Sequence, residues 1–483
     1  MSEQAVSIHG HYYQPAREDP LTGEVPKEEG AQPYRNWNER IHEQCYRPNA
    51  ELGNFEKISF DLGPTLINWM ISHDPATFAR IVEQEQRNYD RYGVGNGMAQ
   101  PYHHTILPLA TRHDKLTQIR WGLADFEHRF CHRPTGMWLP ETAVDYETLQ
   151  ILAEEGIEFT ILAPWQADAA DINIAEPYLV ELENGERMSV FFYDAELSMR
   201  VSFDPGSTAN GDRFVSDYVI PRFPTNGHGE DHPRLLIIAS DGELYGHHQP
   251  FRDKFLFYLT RRETSHPPML KFTYPGLWLR QHAPVKKIQI RSNTSWSCHH
   301  GVSRWKEACP CASNGDWKAQ LRKAMNQIAA AVDEQFVRAV SPYLRDPWDL
   351  LYRYIEVLHG NLLIYEYIEK VFARQVNAEE KRKIDLLLRS QLCKQRMFTS
   401  CGWFFEDFDR LEPRLVVVSA AQAIWWMRLA THIDLIPQAQ EWLGKVRSWR
   451  SSLRADMVFN GYIERLRYEQ LAFPFVQTEI ERF

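Results

Sequence analysis

Two acidic residues a hundred positions apart stand at the ends of apolar, strand-like runs. Glu141 closes Gly136-Met137-Trp138-Leu139-Pro140-Glu141, and Asp241 follows Ile237-Ile238-Ala239-Ser240. A strand buries its apolar side chains and stops, and the first polar residue past its carboxyl end points into the mouth of an α/β barrel or sheet, where ligands bind. Carboxylates after strands also serve as helix caps or solvated turn residues. Two of them, each set among glycines and aromatics, point instead to chemistry. Cleaving an acetal needs a proton for the departing oxygen and an electron-rich group to meet the oxocarbenium ion. Two carboxylates in different environments supply both, about 5–5.5 Å apart in a retaining enzyme and about 6.5–9.5 Å apart in an inverting one.

Other residues gather near strand ends. His9-Gly10-His11-Tyr12-Tyr13-Gln14-Pro15 follows the first apolar run, and two histidines one residue apart on extended chain face the same side. Such a pair can hydrogen-bond sugar hydroxyls. It can also bind a metal, with a third ligand from Asp241, Glu243, His247 or His248. A third cluster runs from Ser295-Trp296-Ser297-Cys298-His299-His300 through Arg304-Trp305 to Cys309-Pro310-Cys311. Its Cys and His could hold zinc, but the spacing is not that of paired CxxC knuckles, and a buried turn of packed thiols is the favoured reading. Trp296 and Trp305 are candidates for a cleft wall. The run Thr399 to Asp407, with Trp403, either joins them or fills a core corner.

The elements that must position these groups follow from periodicity. Strands are predicted at Ala5–Ile8, at Met137, at Phe159–Leu162, as a pair around Tyr178 to Phe192, and at Leu235–Ala239; helices are predicted at Phe60–His73, Thr77–Tyr92 and Tyr146–Glu155. Met98–Ala110 reads as a loop leading into an apolar run. Such alternation means parallel β/α layers. From about Ser313 the pattern turns to long amphipathic segments: Trp317–Ala339, Asp349–Ala373, Ala378–Gln395, Leu415–Thr431 and Ile436–Phe459. The expected division is a catalytic barrel over residues 1–295 and an α-helical domain over 296–483 that contributes to the active-site cleft, the boundary falling between Pro284 and Asn314. Tyr13–Arg40 and Ser202–Pro233 read as long loops covering the cleft.

Composition limits the partners. The 483 residues carry a net charge of −10, and with no basic stripe to neutralise phosphates, nucleic acid is excluded as the main partner. Aromatic residues make up 13% of the chain, including 15 Trp, enough to line a cleft where sugar rings stack. The start of the sequence lacks a secretory pattern, and no apolar run reaches membrane-spanning length. Seven scattered cysteines fit reduced thiols. The expected location is the cytoplasm.

Together these blocks resemble glycoside hydrolase family 57, in the subgroup whose C-terminal helical part is a domain of unknown function. The first family region, His-x-His-Gln-Pro, is answered by His9, His11, Gln14 and Pro15, with two tyrosines intervening. The second is matched by His104-Thr105-Ile106-Leu107-Pro108-Leu109, without the acidic residue that often opens it. The third, Trp-Leu-x-Glu, is met by Trp138, Leu139 and Glu141. The fourth is met by Asp241, Glu243, Tyr245 and Gly246, with His248 where a Trp is common. The resemblance implies an incomplete (β/α)7 barrel followed by a C-terminal helical domain, acting on α-glucans with retention and without a catalytic metal or cofactor. Glu141 would be the nucleophile and Asp241 the general acid/base. His9, His11, Gln14, His104, Trp138, Glu243, Tyr245, His248, Trp296, Trp305 and Trp403 would contact substrate. Amylase, glucanotransferase and branching enzyme share every step until the acceptor enters, so the motifs do not separate them. Two other classes stay open: a metal-dependent carbohydrate hydrolase or deacetylase with His9, His11 and Asp241 as ligands, and a glycan-binding protein without turnover.

Overall fold

In the computed structural model, residues 3–223, 232–261 and 270–472 are described. The chain divides into two units. One comprises Met1–Ala16, Val25–Pro101 and Phe126–Trp296; the other comprises Arg17–Glu24, Tyr102–Asp125 and Ser297–Phe483.

The first unit is built on a ring of parallel strands. β1 (Gln4–Tyr12) pairs with β2 (Ser59–Leu62), and β2 with β3 (Gly97–Met98). Parallel bridges from Ala99 to Met137 and from Gly136 to Phe159 carry the ring onward to β4 (Phe159–Leu162). β5 (Tyr178–Glu181) is an antiparallel partner of β6 (Arg187–Phe192), which itself runs parallel to β4. β7 (Arg234–Asp241) lies along the other edge of β1 over Gln4 to His11. The Asp194 amide, just past β6, donates to the Ile237 carbonyl of β7 at 2.7 Å and closes the circle. Seven strand positions therefore succeed one another. The one at 136–138 is held only by bridges, which makes this an incomplete (β/α)7 barrel. A two-residue β8 (Lys271–Phe272) adds to the start of β1.

Alternation decides what faces inward. The buried interior takes Ala5 from β1, Met98 from β3, then Trp138, Phe159 and Ile161 from β4, Phe191, and Leu235, Ile237 and Ala239 from β7. The next positions in the same parity are Ser7, His9 and His11 on β1 and Asp241 on β7. The strand pattern thus carries polar groups to the carboxyl ends of the barrel. Val6, Ile8 and Tyr12 take the opposite parity and are buried outside the ring.

Helix signals fix the connections. Pro64 opens the helix Pro64–His73 at its first turn, where its missing N–H costs nothing. Asp74 caps Pro75–Tyr92 by accepting from the Thr77 amide, and Gly93 ends that helix in the left-handed region, at φ 68°. Asp145 caps Tyr146–Glu154 in the same way through Thr148.

The helix expected from Phe60 starts instead at Pro64, because residues 59–62 extend β2 into the sheet. The loop Ser202–Pro233 contains a short helix, Gly211–Phe214, and partly lies outside the described residues. Tyr13–Arg40 is irregular until a helix opens at Trp37.

The second unit is helical. Its long helices are Asp316–Val340, Ala378–Arg396, Leu411–Thr431 and Ala455–Ala472. Inside it the Lys394 ammonium lies 2.7 Å from carboxylate oxygens of both Asp114 and Asp333, a buried charge neutralised by two partners. That triad ties residues 102–125 to the helices. The segment read as one helix over Asp349–Ala373 is three pieces, Trp348–Tyr352, Ile355–Leu358 and Ile364–Phe372; the second break falls at Gly360, whose φ is 72°. The one read over Ile436–Phe459 stops at Leu443 and resumes at Ala455. Between them, Asp407 draws the Ser448 hydroxyl and the Arg450 amide out of helical geometry. No described helix is long and apolar enough to cross a membrane.

Candidate active site at the carboxyl ends of the barrel strands

The two histidines of β1 do face one side, and a buried carboxylate joins them. Asp61 on β2 lies 3.1 Å from His9 Nε2 and 2.9 Å from His11 Nδ1. An ionised carboxylate only accepts, so His9 carries its proton on Nε2, and its Nδ1 accepts from the Ser59 hydroxyl at 2.9 Å. Burial lowers the His9 pKa and keeps that ring neutral, against the opposing pull of Asp61. His11 goes the other way. Burial disfavours its cation, but the charge and hydrogen bond of Asp61, with Asp241 and Glu243 beyond, push it up to about 9. Beneath the pair, the Trp138 indole stacks on His9 at 4.5 Å and on His11 at 5.4 Å.

Glu141 follows Trp138 on a strained turn. Its φ is 58° and that of Thr142 is 49°, a left-handed pair without glycine. Such conformations cost about 1–3 kcal/mol each and collect where function demands them. The turn is held from the far end of the unit. The Trp296 indole donates to Glu141 Oε2 at 3.1 Å, and the Trp296 amide donates to the Glu141 carbonyl at 3.0 Å. The Trp296 ring stands edge-on to Trp138 at 5.1 Å and to His11 at 6.4 Å.

Asp241 pairs in register with His11 across β1 and β7. Its side chain is open to solvent, yet surrounding protein is the largest influence on its carboxyl. Burial raises its pKa, Asp61 adds to the rise, and His11 and His248 oppose it. Glu243 is buried and pushed up to about 7, by burial first and then by the charge of Asp241. It accepts from the Tyr46 hydroxyl at 2.7 Å, and Tyr46 is in turn hydrogen-bonded by the Gln14 side chain. His248 is exposed near Asp241, and its neighbour His247 is anchored 2.7 Å from Gln44 Oε1.

Of the expected contact residues, Trp296 touches Glu141, His11, His248 and Glu243 lie near Asp241, and His9, Trp138 and Gln14 are joined to these through the contacts above, all within the barrel unit. Tyr245 lies behind them, buried, with its hydroxyl 3.4 Å from Ser240 Oγ. His104 belongs to the helical unit, where its Nδ1 meets Ser400 Oγ at 2.6 Å. Trp305 and Trp403 are fully buried in that unit. Trp403 packs under the Arg322 guanidinium at 4.1 Å, and the Trp305 carbonyl accepts from Arg322 at 2.7 Å. The cleft-wall role expected of these two tryptophans therefore gives way to core packing, since neither ring offers a face to a sugar. Cys298, His300, Cys309 and Cys311 come together in the helical unit.

Sequence reasoning missed Asp61 and Tyr46. Ile58-Ser59-Phe60-Asp61-Leu62 alternates apolar and polar residues, the mark of a strand with a polar face. A helical reading from Phe60 hid that parity.

Residues 9–291, well over half of the chain, match the family model described as glycosyl hydrolase family 57. The chain belongs to this family. Residues 314–471 of this family 57 chain match a domain of unknown function, DUF3536. Alpha-amylase 1 of Dictyoglomus thermophilum is 27% identical over 231 residues, 44% of this chain and 30% of that protein. The 4-alpha-glucanotransferase of Thermococcus litoralis is 25% identical over 214 residues, 43% of this chain and 30% of that one. The match thus spans about 30% of the length of these curated relatives. Among solved structures, an exo-type maltose-forming amylase from Pyrococcus sp. ST04 has a TM-score of 0.67 at 14% identity, covering 98% of this chain and 84% of that one. A family 57 branching enzyme from Pyrococcus horikoshii has a TM-score of 0.63 at 14% identity, covering 95% and 97%. These likenesses concern the fold.

Proposed function

We propose that this family 57 chain is a retaining enzyme of α-glucans, cleaving or transferring glucosyl chains by double displacement. Glu141 attacks the anomeric carbon. Asp241 protonates the leaving oxygen, then deprotonates the water or acceptor sugar that releases the glycosyl group. The observation that carries the reading is the difference between the two carboxylates. Glu141 accepts a hydrogen bond from the Trp296 indole, which orients it for attack, while the surrounding protein raises the pKa of Asp241, the direction a proton donor needs. The His11 cation beside Asp241 offers a charged donor to substrate hydroxyls, and neutral His9 fixes Asp61 beneath it. The named activities of the relatives, amylase and 4-alpha-glucanotransferase, support an α-glucan substrate.

The metal-dependent alternative requires His9 as a ligand. Both of its ring nitrogens are already engaged, by Ser59 and Asp61, which favours the two-carboxylate reading.

Product analysis on maltooligosaccharides and glycogen tests the proposal, with Glu141→Gln and Asp241→Asn as controls. Shortened or redistributed α-glucan chains are expected, with the α configuration retained. Binding without any change in the chains would leave only a glycan-binding role.

A further inference from the structure

Four side chains converge in the loop that precedes the helix Asp316–Val340 of the helical unit. Cys298 Sγ lies 3.5 Å from Cys309 Sγ and 3.7 Å from Cys311 Sγ. His300 Nδ1 lies 3.2 Å from Cys311 Sγ and 3.4 Å from Cys309 Sγ. All four donor atoms fall within 4.8 Å of one another.

These separations discriminate among the things thiols do. Four donors around one zinc ion, with Zn–S about 2.3 Å and Zn–N about 2.0–2.1 Å, form a tetrahedron whose edges are about 3.5–3.8 Å. The four measured edges come close to that. A disulfide would bring one sulfur pair to about 2.05 Å. An iron–sulfur cluster spreads its ligands over two or more irons and would not keep all four donor atoms within 4.8 Å of one another.

Backbone donors and a buried cation stand around the sulfurs. Backbone amides of His300 and Arg304 point at Cys298 Sγ, and that of His299 at Cys311 Sγ. Lys318 is buried with no hydrogen-bond partner for its ammonium, and it feels the charges of Cys298 and Cys309. Three thiolates and one imidazole around a dication leave one net negative charge, which gives that buried cation its counterpart.

We propose that Cys298, His300, Cys309 and Cys311 form a structural zinc site. Four protein donors leave no open position for a substrate, so the ion braces the loop rather than reacting. The loop it closes carries Trp305, whose carbonyl holds the buried Arg322 guanidinium. Zinc thereby fixes the entry to the helix Asp316–Val340.

The test is metal content and cobalt substitution on the full chain, purified under reducing conditions. Elemental analysis should find one zinc per chain. After chelator treatment, cobalt(II) should give the thiolate charge-transfer band and strong visible bands of a tetrahedral site, saturating at one ion and bleached by zinc. Cys311→Ser should weaken the charge-transfer band, and His300→Cys should keep one ion with a shifted spectrum. Wild-type protein that neither retains zinc nor develops the cobalt spectrum would overturn the proposal. So would iron with inorganic sulfide in place of zinc. The wild-type titration decides even where a variant does not fold.

Discussion

Trp296 grips Glu141 at two points, its indole donating to the carboxylate at 3.1 Å and its amide to the backbone carbonyl at 3.0 Å. One contact orients the reacting group and the other holds the left-handed turn beneath it. Trp296→Phe removes only the first. A hydrogen bond to a charged group is worth about 1.5–3 kcal/mol, so kcat/KM should fall roughly 10- to 100-fold with the fold intact. Steady-state kinetics alongside far-UV circular dichroism measures this, and unchanged kinetics would show that the indole does not position Glu141.

His11 and Asp61 make stability depend on pH. The folded His11 pKa of about 9 exceeds the ordinary 6.5, so the folded state keeps a proton that the unfolded chain gives up. The stabilisation is complete below 6.5 and is lost as pH rises through 9. Glu243, raised to about 7, acts in the same direction at lower pH, while Cys311 and Lys318, lowered to about 7 and about 8, act against His11 between 7 and 9. The His11 share, a loss of up to about 1.4 kcal/mol per pH unit, is therefore read as the difference in slope between wild type and a variant without the pairing. Asp61→Asn should flatten this slope. Denaturant titrations at several pH values check it, and equal slopes in the two proteins would refute the pairing.

Parity made much of the barrel legible. Leu235, Ile237 and Ala239 announce an inward face, so the position of Asp241 followed from alternation alone. His9 and His11 were placed by the same rule. What the sequence hid was non-local. Asp61 meets the histidines only because β2 lies beside β1, and Trp296 reaches Glu141 across 155 residues. The helical segments showed their apolar stripes but not their breaks, because Gly360 and the Asp407 contacts act against an otherwise unbroken periodicity. Trp305 and Trp403 read equally as cleft or core, since aromatic type alone does not reveal the buried Arg322 between them.

Two glycines should respond oppositely to alanine. A Cβ on Gly242 would clash with the Tyr12 ring, which is fully buried and has nowhere to move. Overpacking of this kind costs about 1–3 kcal/mol. Gly461, inside the helix Ala455–Ala472, has open space around it, and Gly461→Ala should gain about 0.5–1 kcal/mol. Thermal melts of the two variants should move to opposite sides of wild type; a Gly242→Ala protein as stable as wild type would mean that the Tyr12 ring is not fixed.

The raised pKa of Asp241 shapes the activity profile. Enclosure lifts it above the ordinary 3.8, so the proton donor survives into the range where a free aspartate would be ionised. The alkaline limb of kcat/KM should report its loss. Asp241→Asn should abolish that limb on an activated aryl glycoside, whose leaving group needs no acid; persistence of the limb would assign it to another group.

Trapping the intermediate is the most direct test. Asp241→Asn lacks the base that releases the glycosyl group, so an activated aryl maltooligosaccharide should leave the sugar on the enzyme. Peptide mass spectrometry after a rapid acid quench should find that adduct on Glu141, in a peptide that remains unmodified when Glu141→Gln is added to the variant. An adduct on another carboxylate, or turnover with inverted product and no adduct, would contradict Glu141 as the nucleophile.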